Sequence, residues 1–230
     1  MGRAPALVGF LLALSLAVLI ALAGPLLLFS PWFVSFEQAH TDVPARLQTS
    51  QAEVDRVTGG ILTDIWTGGD FEVGLDGQAP LLDANERSHM RDVGSLVRVL
   101  GTLLVVAALV LLFSLLTLSH ERRRVGRLLL TAAGIVGTLA VLLAVAFAVA
   151  FDQAFLAFHE VFFPQGNFLF GPDSNLLRLF PEPFWSEAAL VAGMAIIVSA
   201  LIVTVIGWLL WRSHGAPPET PDWPLIASSG

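Results

Sequence analysis

The amino-acid sequence predicts an all-α integral membrane protein with four transmembrane helices and two extracytoplasmic loops, the first of which contains a short amphipathic helix. Three observations carry this expectation. Charged residues make up 13% of the 230, against about 25% in a soluble domain. Four apolar runs, at about 6–29, 93–118, 128–151 and 188–211, each reach the ~20 residues that cross a bilayer. The arginines then sort the ends. Arg122, Arg123, Arg124 and Arg127 lie between the second and third runs, Arg3 precedes the first and Arg212 closes the fourth. Under the positive-inside rule these positions mark the cytoplasmic side. Both termini are then cytoplasmic, and loops 30–92 and 152–187 face outward. The chain is read as a single membrane domain, 1–230, with a Pro-rich tail at 213–230 that is expected to be disordered.

The net charge of -7 does not point to nucleic acid, because the acidic residues sit mainly in the two loops. Cysteine is absent, which excludes disulfides, thiol catalysis and thiolate metal sites. Lysine is absent too, so all twelve basic residues are arginines; no function follows from that.

In chain order, the first run contains Ala21-Leu22-Ala23, which resembles a signal-peptidase site. Apolar residues continue past it through Phe29, so a retained helix is expected, with a kink at Pro25. Loop 30–92 carries eleven carboxylates and four arginines. It opens with Trp32, Phe33 and Phe36, which suit a membrane–water interface. Ser50-Gln51-Ala52-Glu53 reads as a capping box. Val54, Val57, Ile61 and Ile65 follow at helical spacing until Gly68-Gly69, which gives an amphipathic helix of about four turns. Asp76-Gly77 marks a turn. The polar approach from Asp83 is expected to belong to the second span's helix, extended into water. In the third span, Ala133, Gly137, Ala140, Ala144 and Ala148 form a face of small residues, along which helices approach closely in lipid. Residues 152–163 are expected to extend that span. Trp208 and Trp211 sit at the inner end of the fourth.

Two polar clusters adjoin these spans, and polar groups near lipid are costly unless they face water or one another. Glu86, His89 and Asp92 recur every three residues and share one helix face. An imidazole held beside a carboxylate suits a general base, although a solvated helix entry has the same spacing. In the second cluster, Asp152, Phe155, His159 and Phe163 share a stripe flanked by Phe158 and Phe162. His159 there is either an interfacial anchor or a base in a pocket for acyl chains. A metal site built from His89, His159 and a carboxylate is conceivable, but HExxH and paired histidine spacing are both missing. There is no Gly-x-Ser-x-Gly elbow, and neither Ser88 nor Ser174 has motif support. His40, His120 and His214 read as loop or tail histidines.

The motifs His89-Met90-Arg91-Asp92-Val93 and Phe158-His159-Glu160-Val161-Phe162-Phe163, with Leu179-Phe180-Pro181-Glu182 and Phe184-Trp185 after them, recur in this order around the spans. In motif, spacing, size and layout the chain resembles the bacterial lipoprotein intramolecular transacylase family over nearly its whole length. It departs from the family where a tryptophan is expected after Phe163 and Asn167-Phe168-Leu169-Phe170 stands instead. The resemblance implies a substrate lipoprotein whose N-terminal cysteine bears a diacylglyceryl group. One ester acyl chain moves to the α-amine of that cysteine, without a cofactor. It further implies His159 as general base toward the amine, and His89, oriented by Asp92 or Glu86, as the group that polarises the carbonyl or protonates the leaving oxygen; the two roles are exchangeable. Phe158, Phe162, Phe163, Phe168 and Phe170 would line an acyl path. Asn167, Arg178 and Glu182 would tie the loop together, with Asp152 among the supporting residues. Two other readings remain open at the sequence level: a non-enzymatic membrane scaffold or lipid-handling subunit, and an acyl hydrolase or acyltransferase acting on phospholipid.

Overall fold

The computed structural model describes residues 3–75 and 78–212. The Asp76-Gly77 turn, His214 and the 213–230 tail lie outside the described residues. Every regular element described is helical: α1 (Arg3–Leu27), α2 (Pro31–His40), α3 (Val43–Leu47), α4 (Gln51–Thr67), α5 (Ala84–Thr117), α6 (Arg122–Val149), α7 (Phe151–Phe162), α8 (Asn175–Leu179) and α9 (Glu182–Arg212). Of these, α1, α5, α6 and α9 are long and apolar enough to cross a membrane.

The bundle is closed by small residues. A methyl group built on Gly126 of α6 would lie 2.6 Å from the Gly207 carbonyl oxygen of α9 and 2.7 Å from the Trp211 backbone nitrogen. The two backbones therefore touch, and further along the same seam Ala200 packs on Gly137 and Gly193 on Ala144. This is the close approach expected of the small-residue face, where packing rather than hydrophobicity drives association in lipid. The seam runs from Gly126 to Ala144; Ala148 is exposed. On α1, Leu12, Leu16 and Ile20 are buried, and they meet Leu118, Val125 and Leu129 in an inner core at the arginine-rich end.

The second span and its polar approach form one helix, as expected. At 34 residues, α5 is about 50 Å long, well beyond the ~30 Å hydrocarbon core, so its first turns stand clear of the membrane. A capping box fixes where it starts. Asp83 Oδ1 accepts from the backbone N–H groups of Asn85 and Glu86 at 2.7 and 2.8 Å, and Glu86 Oε2 accepts from the Asp83 N–H at 2.8 Å. These bonds satisfy the orphan donors of the first turn.

The outer segments are more structured than the sequence suggests. The expected amphipathic helix is α4, capped by the Ser50 side chain and ended by Gly68 at φ 82°. Val54, Val57, Ile61 and Ile65 are all buried. The sequence reading treated the preceding segment as loop, whereas α2 occupies it, entered through Ser30-Pro31 with Pro31 in the first turn. Phe33 and Val34 of α2 join Phe71, Leu82, Met90, Leu176, Leu179, Phe180 and Phe184 in an outer core that binds both loops into one cap. Polar bonds reinforce it. Gln38, fully buried, donates to the Leu179 carbonyl at 3.0 Å and accepts from Thr58 Oγ1 at 3.0 Å. Arg98 donates to the Ile65 carbonyl at 2.6 Å, tying α4 to α5.

Two boundaries differ from expectation. Residues 152–163 do not continue the third span: Ala150 leaves the helical region at φ -144°, ψ 57°, and α7 begins afresh. Apolar residues run unbroken through this point, so hydropathy cannot reveal the break. Aromatic contacts bridge it, with Phe147 to Phe151 at 6.0 Å and Phe151 to Phe155 at 5.4 Å. The fourth long helix begins at Glu182, six residues before the apolar run, so its first turns belong to the cap.

Candidate active site

The two polar clusters meet. His89, on the first turns of α5, and His159, on α7, stack with ring centroids 6.0 Å apart and planes 24° apart. Four hydrogen bonds tie α5 to the chain that follows α7. Gln165 Nε2 and Asn167 Nδ2 donate to Asp92 Oδ2 at 2.7 and 2.6 Å. The backbone N–H of Leu176 donates to Glu86 Oε1 at 2.9 Å, and the Ser174 hydroxyl donates to the same oxygen. The exposed helix face of Glu86, His89 and Asp92 is thus covered by the chain that follows α7.

Each histidine has a distinct setting. The Nδ1 of His159 lies 2.8 Å from the Phe155 carbonyl oxygen. A carbonyl only accepts, so Nδ1 carries the proton and Nε2 keeps its lone pair. Rings enclose it: Phe155 at 4.2 Å, Phe168 at 5.1 Å, Phe158 at 5.5 Å and Phe163 at 5.6 Å. His89 is only 6% exposed, with Phe163 at 4.8 Å and Phe170 at 5.6 Å. Its Nδ1 is buried without a partner, as is Asn167 Oδ1. An unpaired buried polar atom costs about 1–3 kcal/mol, and Asn167 is the polar side chain that interacts with the His89 ring.

Both imidazoles are held neutral. Burial, and then the neighbouring His159, lower the His89 pKa to about 4, while Asn167 and Asp92 pull weakly the other way. Burial lowers His159 as well, opposed by its bond to the Phe155 carbonyl. Both residues stand outside the membrane-spanning segments.

Of the residues singled out in the sequence, the structure gathers His89, His159, Asp92, Asn167, Phe163, Phe168 and Phe170. Neither carboxylate hydrogen-bonds to His89: Glu86 accepts from the Asp83 N–H, the Ser174 hydroxyl and the Leu176 N–H, and Asp92 accepts from Gln165 and Asn167. Phe158 and Phe162 pack on each other at 4.7 Å and are about two-fifths exposed. Asp152 and Glu182 are exposed in the first turns of α7 and α9 and take no part in the cluster. Arg178 is exposed and lies 3.5 Å from Asn175 Oδ1. Sequence reasoning missed Gln165 and the cap-tying role of Ser174, because residues 164–174 carry no periodicity from which to place them. It also missed Glu37, which is 2% exposed. Burial, followed by a hydrogen bond to Glu187 and the charge of Glu187, raises Glu37 to about 7. Among the described residues no group of three potential ligands could hold a metal.

Comparison with known proteins places this geometry. The family model described as lipoprotein intramolecular transacylase Lit matches residues 8–185. The chain is similar to the crystallised membrane-integral lipoprotein intramolecular transacylase Lit of Bacillus cereus, at TM-score 0.81 and 18% identity over 91% of this chain and 97% of that one. Two variants of the same Bacillus cereus protein, each with a histidine replaced, match at TM-score 0.73 and 18% identity, over 91% of this chain and 92% and 94% of theirs. No curated protein sequence matches the chain.

Proposed function

Because the chain belongs to the lipoprotein intramolecular transacylase family, a family of multi-pass membrane enzymes acting on lipoproteins, we propose how its two histidines carry out the transfer. The observation that supports this most is the contact of His89 with His159, contributed by two different helices and enclosed by phenylalanines. The substrate is a lipoprotein bearing a diacylglyceryl group on its N-terminal cysteine. The free α-amine of that cysteine attacks one ester carbonyl of the same molecule. A C–N bond forms, the C–O bond to glycerol breaks, and the product is an N-acyl, monoacylglyceryl lipoprotein.

His159 takes the proton from the attacking amine at Nε2, the nitrogen that its bond to the Phe155 carbonyl leaves unprotonated. The resulting imidazolium returns that proton to the departing glyceryl oxygen, so the cycle needs no further reactant. An α-amine has an ordinary pKa near 8, and a neutral imidazole removes its proton as the nitrogen becomes acylated. His89, neutral and with Nδ1 unpaired, donates to the carbonyl oxygen as charge develops there. Asp92, through Asn167, positions that ring. Nucleophile and ester already share one molecule, so holding them together supplies much of the rate. The arginines at the opposite end of the bundle support a site on the outer face of the cytoplasmic membrane, with both termini inside.

The test is turnover of the purified enzyme on a diacylglyceryl lipopeptide. His159→Gln is expected to lower kcat by about a hundredfold or more, and His89→Gln by a similar factor. Near-normal turnover in either variant would remove that histidine from the mechanism.

A further inference from the structure

A cavity of about 510 Å³ lies between the first turn of α5 and the 166–175 segment, within the range of ~300–1,000 Å³ usual for ligand sites. Its polar walls include Asp83, Asn85, Glu86, Asn167, Asp173 and Ser174, and among the described residues no arginine lines it. Arg87, next to Glu86 in sequence, bonds instead to Glu72 at 2.7 Å. Asp83 and Glu86 accept hydrogen bonds from the first turn of α5 and from 174–176, and among the described residues no cationic side chain lines this wall beside Asp83, Glu86 and Asp173.

The cavity adjoins His89 through two of its walls. Asn167 and Phe170 are walls of the cavity, and both also adjoin His89. At that junction two buried polar atoms, His89 Nδ1 and Asn167 Oδ1, have no partner. The site thus has two chemically opposite halves. Rings surround His159, whereas carboxylates, amides and a hydroxyl surround the cavity. The substrate has the same two halves: acyl chains on a glyceryl thioether, and a peptide that begins with an α-ammonium group.

Resting on the transacylase reading, we propose that this cavity is the peptide subsite, which receives the first residues after the lipidated cysteine and disfavours acidic side chains there. The carboxylates attract cationic side chains, and the unpaired Asn167 Oδ1 accepts from a peptide N–H group. The phenylalanine-lined pair meanwhile takes the ester. Asp83 and Asp173 supply charge without touching the reacting atoms.

The experiment measures equilibrium binding of ether-linked diacylglyceryl-cysteinyl peptides, which cannot transfer a chain, to the full-length protein in zwitterionic lipid nanodiscs. A peptide with lysines after the cysteine is expected to bind about tenfold tighter than one with aspartates at low salt, and the gap should narrow as salt rises. In the Asp83→Asn, Asp173→Asn double variant, the preference should fall to about twofold or less. Asparagine still caps α5, so a folded protein is expected. Equal affinity for the two peptides in the unmodified protein, or an unchanged preference in the double variant, overturns the subsite. The ester-linked peptide is then supplied in parallel. Preference without N-acylation would contradict the transacylase reading and leave the subsite standing.

Discussion

At the scale of single residues, the neutrality of the histidine pair makes a pH prediction. A base that must be unprotonated loses activity as pH falls through its own pKa. Burial sets His159 below the ordinary 6.5, so its imidazole, followed by NMR, should take up a proton only below pH 6.5. Titration of that ring at or above 6.5 would contradict that burial. Stability carries a second signature. His89 is lowered to about 4, so the unfolded chain binds more protons than the folded one between pH 4 and 6.5, and stability falls as pH drops through that window. Glu37 is raised from 4.5 to about 7; the folded chain then binds the extra proton, and stability falls as pH rises through 4.5 to 7. The two trends oppose each other. In thermal melts, Glu37→Gln should remove the loss on the alkaline side, and His89→Gln the loss on the acid side. Unaltered pH slopes in both variants would contradict these assignments.

At the scale of elements, the α6–α9 seam is the contact least tolerant of added volume. Gly126→Leu would push a side chain into the Gly207 carbonyl and the Trp211 backbone, at a cost of about 1–3 kcal/mol or more. A lower melting temperature in detergent is expected; an unchanged one would contradict the close approach. The part of this seam at Gly137 and Ala144 was legible in the sequence, because small residues at helical spacing in an apolar run have one efficient use in lipid, whereas its tightest point, Gly126 on Gly207, was not read there. The amphipathic helix α4 was legible for a similar reason: Ser50 caps it, Gly68 stops it, and four apolar residues mark its buried side. The break at Ala150 was not, since alanine between apolar neighbours carries no stop signal and the backbone turns there because of tertiary packing. The start of α2 could have been read from Ser30-Pro31. The partners of Asp92 and Glu86 could not, because Gln165, Asn167 and Ser174 act from an irregular segment whose path depends on the cap it closes.

At the scale of the whole molecule, charge and chemistry lie at opposite ends. Arg122, Arg123, Arg124, Arg127 and Arg212 gather where α5 turns into α6 and α9 ends, while His89 and His159 sit beneath the cap. The absence of cysteine offers a clean check of sidedness: single cysteines placed at Asp70 and at Arg123 should react differently with a membrane-impermeant thiol reagent in intact cells. Labelling at position 70 and protection at position 123 is the expected pattern, and the reverse would contradict an outward-facing site. The central claim concerns where an acyl chain goes. It is tested most directly by expressing the protein in a bacterium that makes only diacylated lipoproteins and taking the tandem mass spectrum of the N-terminal lipopeptide. An unchanged total mass, with one acyl chain on the cysteine nitrogen, is the predicted result. A free α-amine with both glyceryl esters intact, from cells that hold the protein in their membrane, would contradict it.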